Sequence, residues 1–157
     1  MRRSEREVKD RAELTDILNK CDACRLGLSE GMQPYVVPMN FGYEWEGDCL
    51  NLYFHCANEG RRLDIIATNN KACFEADCSH KLITADEPCD YSFHFESIIA
   101  FGEIEVLKNH EERVHGLACI MKKYGRTEKF DFPEEELAPT TILKLTSTDY
   151  SGKRLQG

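Results

Sequence analysis

Apolar and polar residues alternate along several short stretches of the chain, and this period of two predicts β-strands with one buried face. Residues 50–55 (LNLYFH) show the pattern most clearly, and residues 72–77 repeat it. Residues 93–107 predict a longer strand that is interrupted by a bulge at Gly102. One face of that strand is predicted to carry Phe93, Phe95, Ser97, Ile99 and Phe101.

Two longer stretches have the period of an α-helix. Asp10 is a predicted N-cap with Glu13 three residues later, and Asn109 with Glu112 repeats this arrangement. Gly125 is the predicted stop of the second helix. The buried face of that helix is predicted to consist of Val114, Leu117, Ala118 and Met121.

The remaining segments complete a mainly β architecture. Residues 34–40 predict a strand in which Pro38 requires an edge or a bulge, because proline lacks the N–H that a ladder needs. Residues 41–43 are expected to extend this strand, and residues 79–91 are expected to be an irregular connection. Residues 151–154 (SGKR) are expected to form a basic tail.

This order of elements predicts a small β-barrel with α-helices packed outside. At 157 residues the chain is expected to form a single domain, residues 1–157, with residues 1–9 as a flexible N-terminus.

Composition narrows the classes of function. The net charge of −8 argues against nucleic-acid binding, which needs a basic surface. No apolar run approaches the ~20 residues of a membrane span, and the polar N-terminus lacks a secretory signal. We therefore expect a cytoplasmic protein that binds neither nucleic acid nor membranes.

Eight cysteines raise the question of a disulfide framework or a metal site. Cys21 and Cys24 form a CxxC motif, which could supply half a zinc site or a redox pair. The sequence has no second CxxC, and His110 and His115, the only histidine pair with ligand-like spacing, fall within a helical pattern. We predict free thiols and no metal site.

Two adjacent arginines, Arg61 and Arg62, follow Gly60 where a predicted strand gives way to a short helix. A helix N-terminus offers free N–H groups, so two guanidinium groups there could hold a phosphate monoester. They could equally form a solvated turn that pairs with Glu59 and Asp64. The helix itself is predicted to bury Leu63, Ile66 and Ala67.

Several of these segments, taken in order, resemble the pyridoxamine 5′-phosphate oxidase-like superfamily, and in particular its nitroimidazole-resistance flavoproteins. The resemblance extends from about residue 10 to residue 154 and is carried by the segments RLGL, YVVPMNFGY, LYFHCANEGRRLD, CFEAD, SIIAFGEIE and the closing GKR. It implies an FMN-binding split barrel that forms a homodimer with FMN at the interface. It also favours the phosphate-binding interpretation of the two arginines.

The resemblance implies roles for individual residues around the flavin ring. Backbone groups along the ring are implied for Val36, Val37, Pro38, Met39 and Asn40. Phe54, His55 and Cys56 match a strand that runs beside the flavin and its ribityl chain. His55 matches a histidine near the reactive face and is the candidate catalytic residue.

The resemblance also implies roles at the phosphate and at the closure of the site. Arg61 and Arg62 match the arginines that take the phosphate. Ser97 matches a polar position that approaches the flavin from a neighbouring strand or subunit. Lys153 and Arg154 match a C-terminal basic pair that is positioned to close the site.

The implied activity is an FMN-dependent oxidoreductase of the nitroreductase type, which takes electrons from a donor and passes them to a small molecule such as a nitroaromatic. Two alternatives remain open. One is a flavin- or haem-binding protein for storage or sensing, without turnover. The other is a zinc or thiol redox protein built on Cys21 and Cys24.

Overall fold

The computed structural model describes residues 3–130 and 132–155. Antiparallel strands make up about half of this part of the chain, and two short 3-10 helices lie at Ser4–Arg6 and Pro88–Asp90. The strands are β1 (Glu7–Val8), β2 (Cys24–Glu30), β3 (Gln33–Met39), β4 (Gly42–Glu46), β5 (Cys49–Ala57), β6 (Lys71–Ile83), β7 (Ser92–Val106) and β8 (Thr140–Leu155). The α-helices are α1 (Arg11–Lys20), α2 (Arg61–Thr68), α3 (His110–Lys123) and α4 (Glu134–Leu137). Among the described residues, no helix is both long and apolar enough to cross a bilayer.

The strands form one sheet in the order β3-β2-β6-β7-β8-β5-β4, and β1 pairs with β8. The sheet curls without closing, so β3 and β4 remain at its two edges. This arrangement confirms the predicted mainly β fold and its split-barrel form. It also explains Pro38, which lies in edge strand β3, where a missing N–H is tolerated.

The prediction that residues 41–43 extend this strand is wrong. The chain leaves β3 after Met39, and β4 begins at Gly42 on the opposite edge of the sheet. Phe41, between the two strands, is fully buried and contacts Phe74 edge to face, with ring centroids 5.1 Å apart. Burial of this ring anchors the crossing between the edges.

Helix α3 lies unusually close to strands β4, β5 and β8. A Cβ atom at Gly42 would stand 2.3 Å from the backbone nitrogen of Ile120, and one at Gly116 would stand 2.8 Å from the Ile142 side chain. Glycine at both positions therefore permits this approach. This close approach buries Gly116, Cys119 and Ile120. The four residues of the predicted buried face, Val114, Leu117, Ala118 and Met121, are only half-buried.

Helix α2 buries only part of its predicted face. Ile65 and Ile66 are buried, Leu63 is half-buried and Ala67 is exposed. The prediction assumed that an apolar stripe along the whole helix packs on the sheet. Helix α2 has only about two turns, so it buries only the residues that point at the sheet.

Strand β7 carries its five predicted residues on one face, but that face points outward. The buried face contains Glu96, Ile98, Ala100 and Ile104. Outside, Phe93, Ile99 and Phe101 are 45%, 37% and 52% exposed. The register shift between Phe101 and Glu103 confirms the predicted bulge at Gly102.

Glu96 is fully buried and is the centre of an ion-pair network. Its carboxylate accepts hydrogen bonds from Arg154 Nε at 2.6 Å, Lys20 Nζ at 3.1 Å and Ser79 Oγ at 2.5 Å. Burial alone would raise the pKa of this carboxyl, but the hydrogen bonds from Ser79, Lys20 and Arg154 outweigh burial and lower it. The network ties α1 to β6, β7 and β8.

Two terminal segments differ from their predictions. Glu7 and Val8 pair with Lys153 and Gly152, so this part of the segment expected to be flexible is a strand. The expected basic tail is the end of β8. Residues 1 and 2 lie outside the described part of the chain.

The expected connection at residues 79–91 is partly strand, because β6 continues past a bulge to Ile83.

Candidate functional site

The ends of β3 and β5 and the start of α2 surround a surface cavity of about 520 Å³, which we call the Arg62 cavity. Its lining combines apolar rings and methyl groups with an imidazole, a thiol and a guanidinium. The lining residues are Pro38, Met39, Asn40, His55, Cys56, Ala57, Arg62, Pro139 and Thr140. A smaller cavity of about 170 Å³ adjoins it at the N-terminus of α2, and the two share Cys56, Ala57 and Arg62.

Arg62 is the residue of this cavity whose surroundings call for a ligand. Among residues 3–130 and 132–155, its Nε is the one buried side-chain nitrogen or oxygen with no hydrogen-bond partner. An unpaired buried donor is costly, and a guanidinium donates readily to the oxygens of a phosphate. The fit between this orphaned donor and an oxyanion supports a phosphate group at this point.

The start of α2 adds to the attraction for an anion. Gly60 precedes the helix with a φ of 128° and gives no side-chain cap. The Leu63 N–H donates to the Gly60 carbonyl at 2.9 Å, but no side chain caps the N–H groups of Arg61 and Arg62, so these and the positive end of the helix dipole remain available to a ligand. Cys56 lies beside Arg62: burial raises the pKa of the Cys56 thiol, while the positive charge of Arg62 and a hydrogen bond with its side chain counteract part of that rise.

Arg61 is engaged differently. Its Nη2 and Nε contact Glu30 Oε2 at 2.7 and 3.0 Å, and its guanidinium lies over the Tyr35 ring, 5.2 Å from the centroid. Arg61 therefore forms a surface ion pair, although with Glu30 and not with the predicted Glu59 or Asp64. The sequence treats the two arginines alike, whereas the structure pairs Arg61 with a carboxylate and gives Arg62 no carboxylate among the described residues.

Other predicted ring contacts are divided between the cavity and its surroundings. Pro38, Met39, Asn40, His55 and Cys56 line the cavity. Val36 is exposed and Val37 half-buried farther along β3. Phe54 is fully buried in the barrel core near Phe74, so its side chain does not reach the cavity.

Ser97, Lys153 and Arg154 do not line the Arg62 cavity. Ser97 and Lys153 are register partners on the outer surface of β7 and β8, and the Lys153 ammonium lies 5.3 Å from the Phe95 ring centroid. Arg154 faces the other way and is held by Glu96 and Glu13. Successive strand residues point to opposite faces, which separates the predicted basic pair.

Three cavity residues were missed by the sequence analysis. Ala57 ends β5, while Pro139 and Thr140 lie just before and at the start of β8. Residues 126–139 show no periodicity, so the sequence carries no signal that this loop would meet the end of β5.

The CxxC motif shows the properties of buried structural thiols. Cys21 and Cys24 are both fully buried, and the Cys24 thiol donates to the Met39 carbonyl at 3.3 Å. Burial raises the pKa of both thiols, that of Cys24 to about 12. A thiol that stays protonated is a poor nucleophile, so nothing here favours a redox role for the pair.

Solved structures with the same fold include proteins named for flavin and haem binding. A candidate 5-nitroimidazole antibiotic resistance protein from Bacteroides thetaiotaomicron is 31% identical, covering 94% of this chain and 86% of its own, with a TM-score of 0.79. A flavocytochrome from Azotobacter vinelandii is 20% identical over 100% of this chain and 72% of its own, with a TM-score of 0.81. An FAD- and haem-binding protein from Mycobacterium smegmatis is 24% identical over 97% and 74%, with a TM-score of 0.80.

A search of curated proteins found no match. A protein-family model described as pyridoxamine 5′-phosphate oxidase matches residues 10–154. This is the same range over which the motifs of the sequence resemble that superfamily. The match, the fold and the 31% identical relative agree. The chain belongs to the pyridoxamine 5′-phosphate oxidase family.

Proposed function

We propose that the chain is an FMN-dependent oxidoreductase that transfers electrons to a small acceptor such as a nitroaromatic compound. The observation that carries the proposal is the Arg62 cavity, in which a buried guanidinium nitrogen lacks a partner at an uncapped helix N-terminus. Membership of the family and likeness to a protein named for 5-nitroimidazole resistance support the choice of cofactor and acceptor.

The residues of the cavity have distinct tasks in this proposal. Arg62 and the first turn of α2 hold the phosphate, and Pro38 and Met39 offer an apolar edge to the flavin ring. The FMN supplies the hydride or electron transfer when bound. His55 is exposed at the cavity, where its imidazole can deliver a proton to the reduced acceptor.

A direct experiment separates this function from flavin or haem storage. The purified protein is expected to show flavin absorption bands, and to oxidise NADH or NADPH faster when a 5-nitroimidazole is added. Flavin bands without any turnover would instead favour a storage or sensing protein. A Soret band without flavin bands would overturn the choice of cofactor.

The proposal includes a homodimer, because the Arg62 cavity lies open at the surface and the predicted contacts from Ser97 and Lys153 are absent within one chain. The outer surface of β7 supplies an apolar face for a second copy. Phe93 and Phe101 are 45% and 52% exposed there. Exposed aromatic rings grouped on one face are typical of an interaction surface.

Phe101→Glu tests the homodimer. A carboxylate at this position would have to lose water when two copies meet, so we expect the dimer dissociation constant to rise by at least about tenfold, since ~1.4 kcal/mol is a factor of ten. Light scattering over a dilution series measures the change. Val106→Glu, on β7 beyond the bulge, is the matched control and should leave the dimer unchanged. A native chain that remains an 18 kDa monomer at micromolar concentration would contradict the homodimer.

A further inference from the structure

Three side chains with different ligand atoms converge away from the Arg62 cavity. Glu44 lies on β4, and His115 and Cys119 lie one turn apart on α3. His115 Nε2 is 2.9 Å from both carboxylate oxygens of Glu44 and 3.6 Å from Cys119 Sγ. The three ligand atoms all lie within 4.8 Å of one another. We call this set the Glu44 cluster.

Close packing of α3 on the sheet creates the cluster. Gly42 and Gly116 admit no side chain at the contact between α3 and the strands, so His115 and Cys119 come within reach of Glu44. Tyr53 Oη donates to Glu44 Oε1 at 2.5 Å and so orients the carboxylate. A hydrogen-bonded partner behind a ligand is typical of metal sites, because it fixes the direction of the ligating oxygen.

The geometry distinguishes a metal site from a nucleophilic triad. In a Cys-His-Glu triad, one imidazole nitrogen faces the nucleophile and the other faces the carboxylate. Here the same atom, His115 Nε2, faces both the Glu44 carboxylate and the Cys119 sulfur. Ligand atoms that converge on one point suit an ion placed between them and leave no route for a proton relay through the ring.

The sulfur-to-nitrogen distance and the atom types suit zinc, whereas the 2.9 Å contacts between His115 Nε2 and the Glu44 oxygens are hydrogen-bond distances that must lengthen when an ion enters. With Zn–S near 2.3 Å and Zn–N near 2.0–2.1 Å, tetrahedral ligation places sulfur and nitrogen about 3.5 Å apart. The observed separation of 3.6 Å is close to this value. A thiolate, an imidazole and a carboxylate together favour Zn²⁺ over Mg²⁺ or Ca²⁺, which prefer oxygen ligands.

We propose that Glu44, His115 and Cys119 bind one Zn²⁺ ion per chain, with a fourth coordination position open to solvent. Two cavities of about 370 and 230 Å³ meet at Glu44 and His115, and the smaller also reaches Cys119, so water or a small ligand can fill that position. Binding replaces the thiol proton of Cys119 by the metal and releases that proton to solvent. The site is independent of the proposed flavin function, because different residues line the two places.

Cobalt and zinc titrations of the reduced full-length protein test the proposal. Co²⁺ is expected to bind with one equivalent per chain and to give a sulfur-to-metal charge-transfer band with visible bands of tetrahedral intensity. Difference spectra remove any flavin contribution. Zn²⁺ should abolish these bands, and competition with a chromophoric chelator gives its affinity. Co²⁺ that binds without a charge-transfer band, or no binding by the native chain, would overturn the site.

Variants assign the ligands. Loss of a supporting partner costs a metal site about 10- to 100-fold, so Cys119→Ser and His115→Ala should each cost more than about 100-fold and Tyr53→Phe about tenfold. Cys89→Ser removes an exposed thiol outside the cluster and is the matched control, with no expected change. Flavin binding should persist in Cys119→Ser. Zinc affinity that is equal in Cys119→Ser and in the native chain would show that another thiol binds the ion and would overturn the assignment.

Discussion

Arg62→Ala is expected to weaken FMN binding by about 10- to 100-fold. The reason is that Arg62 Nε is the buried donor without a partner in the described part of the chain, so a phosphate would supply a contact that no protein group makes with this nitrogen. One charge-assisted hydrogen bond to such a group is worth roughly 1.5–3 kcal/mol, which corresponds to that range of affinity. Titration of the apoprotein followed by flavin fluorescence measures the dissociation constant.

Arg61→Ala is the matched control. Arg61 is equally basic and adjacent in sequence, but it is already paired with Glu30 at the surface, so its removal should change FMN affinity by much less. Arg62→Lys keeps the charge without the planar fork and should fall between the native protein and Arg62→Ala. Riboflavin, which has no phosphate, should bind the native chain and Arg62→Ala about equally. An equal loss of FMN affinity in Arg61→Ala and Arg62→Ala would contradict the assignment of the phosphate contact to Arg62.

Glu96→Gln is expected to lower the free energy of unfolding by about 3 kcal/mol at neutral pH. The substitution keeps the shape but removes the buried carboxylate that Lys20 and Arg154 share, and leaves both with Asp16, whose Oδ2 is 2.6 Å from Lys20 Nζ and 3.6 Å from Arg154 Nη2. Loss of one partner from a buried ion pair typically costs ~3–5 kcal/mol, and the lower end applies because both cations keep some contact with solvent. Chemical denaturation measures the difference.

The same network gives stability a dependence on pH. Because the folded-state pKa of Glu96 is lowered from its ordinary value of 4.5, its contribution is present above that pH and is lost as the pH falls through the folded pKa. Native protein should therefore lose stability below about pH 4.5 more steeply than Glu96→Gln does. Glu13→Gln, which removes a half-exposed partner of Arg154, is the control and should cost less than about 1 kcal/mol. An equal loss of stability in the two variants would contradict the central role of Glu96.

Local sequence patterns predicted those parts of the fold that depend on near neighbours. Asp10 accepts a hydrogen bond from the Glu13 backbone N–H at 3.1 Å, and Asn109 accepts from the N–H groups of Glu111 and Glu112, as the capping patterns predicted. Caps, turns and alternation are decided within a few residues, so the sequence displays them directly.

Features that depend on distant contacts were missed. The path after Met39 depends on which sheet edge accepts β4, and the buried face of α3 depends on how closely Gly42 and Gly116 let it approach. No local pattern encodes either of these contacts. The same reason explains the Glu44 cluster, whose members come from elements about seventy residues apart in the chain.

The candidate site shows the same division. The sequence and the family resemblance predicted a phosphate site at Gly60, Arg61 and Arg62, and these residues line a cavity in the structure. Glu30 on β2 decides which arginine has a carboxylate partner, and it lies 31 residues before Arg61 in the chain. Arg154 points inward because side chains alternate along β8, and this places its guanidinium on the same face as the buried Glu96.

The place of β8 in the sheet has a consequence for biosynthesis. This strand is the last of the described strands in chain order, yet it lies between β7 and β5, pairing with β5 through residues 140–147 and with β7 through residues 143–155. While a ribosome still holds residues 140–155, the nascent chain has two separate groups of strands, β3-β2-β6-β7 and β5-β4, whose apolar faces and inner edges lack their partner, and β1 has no strand to pair with. We expect the barrel to assemble only after β8 has emerged, so the newly made chain passes through a stage that is exposed to aggregation and to chaperone binding.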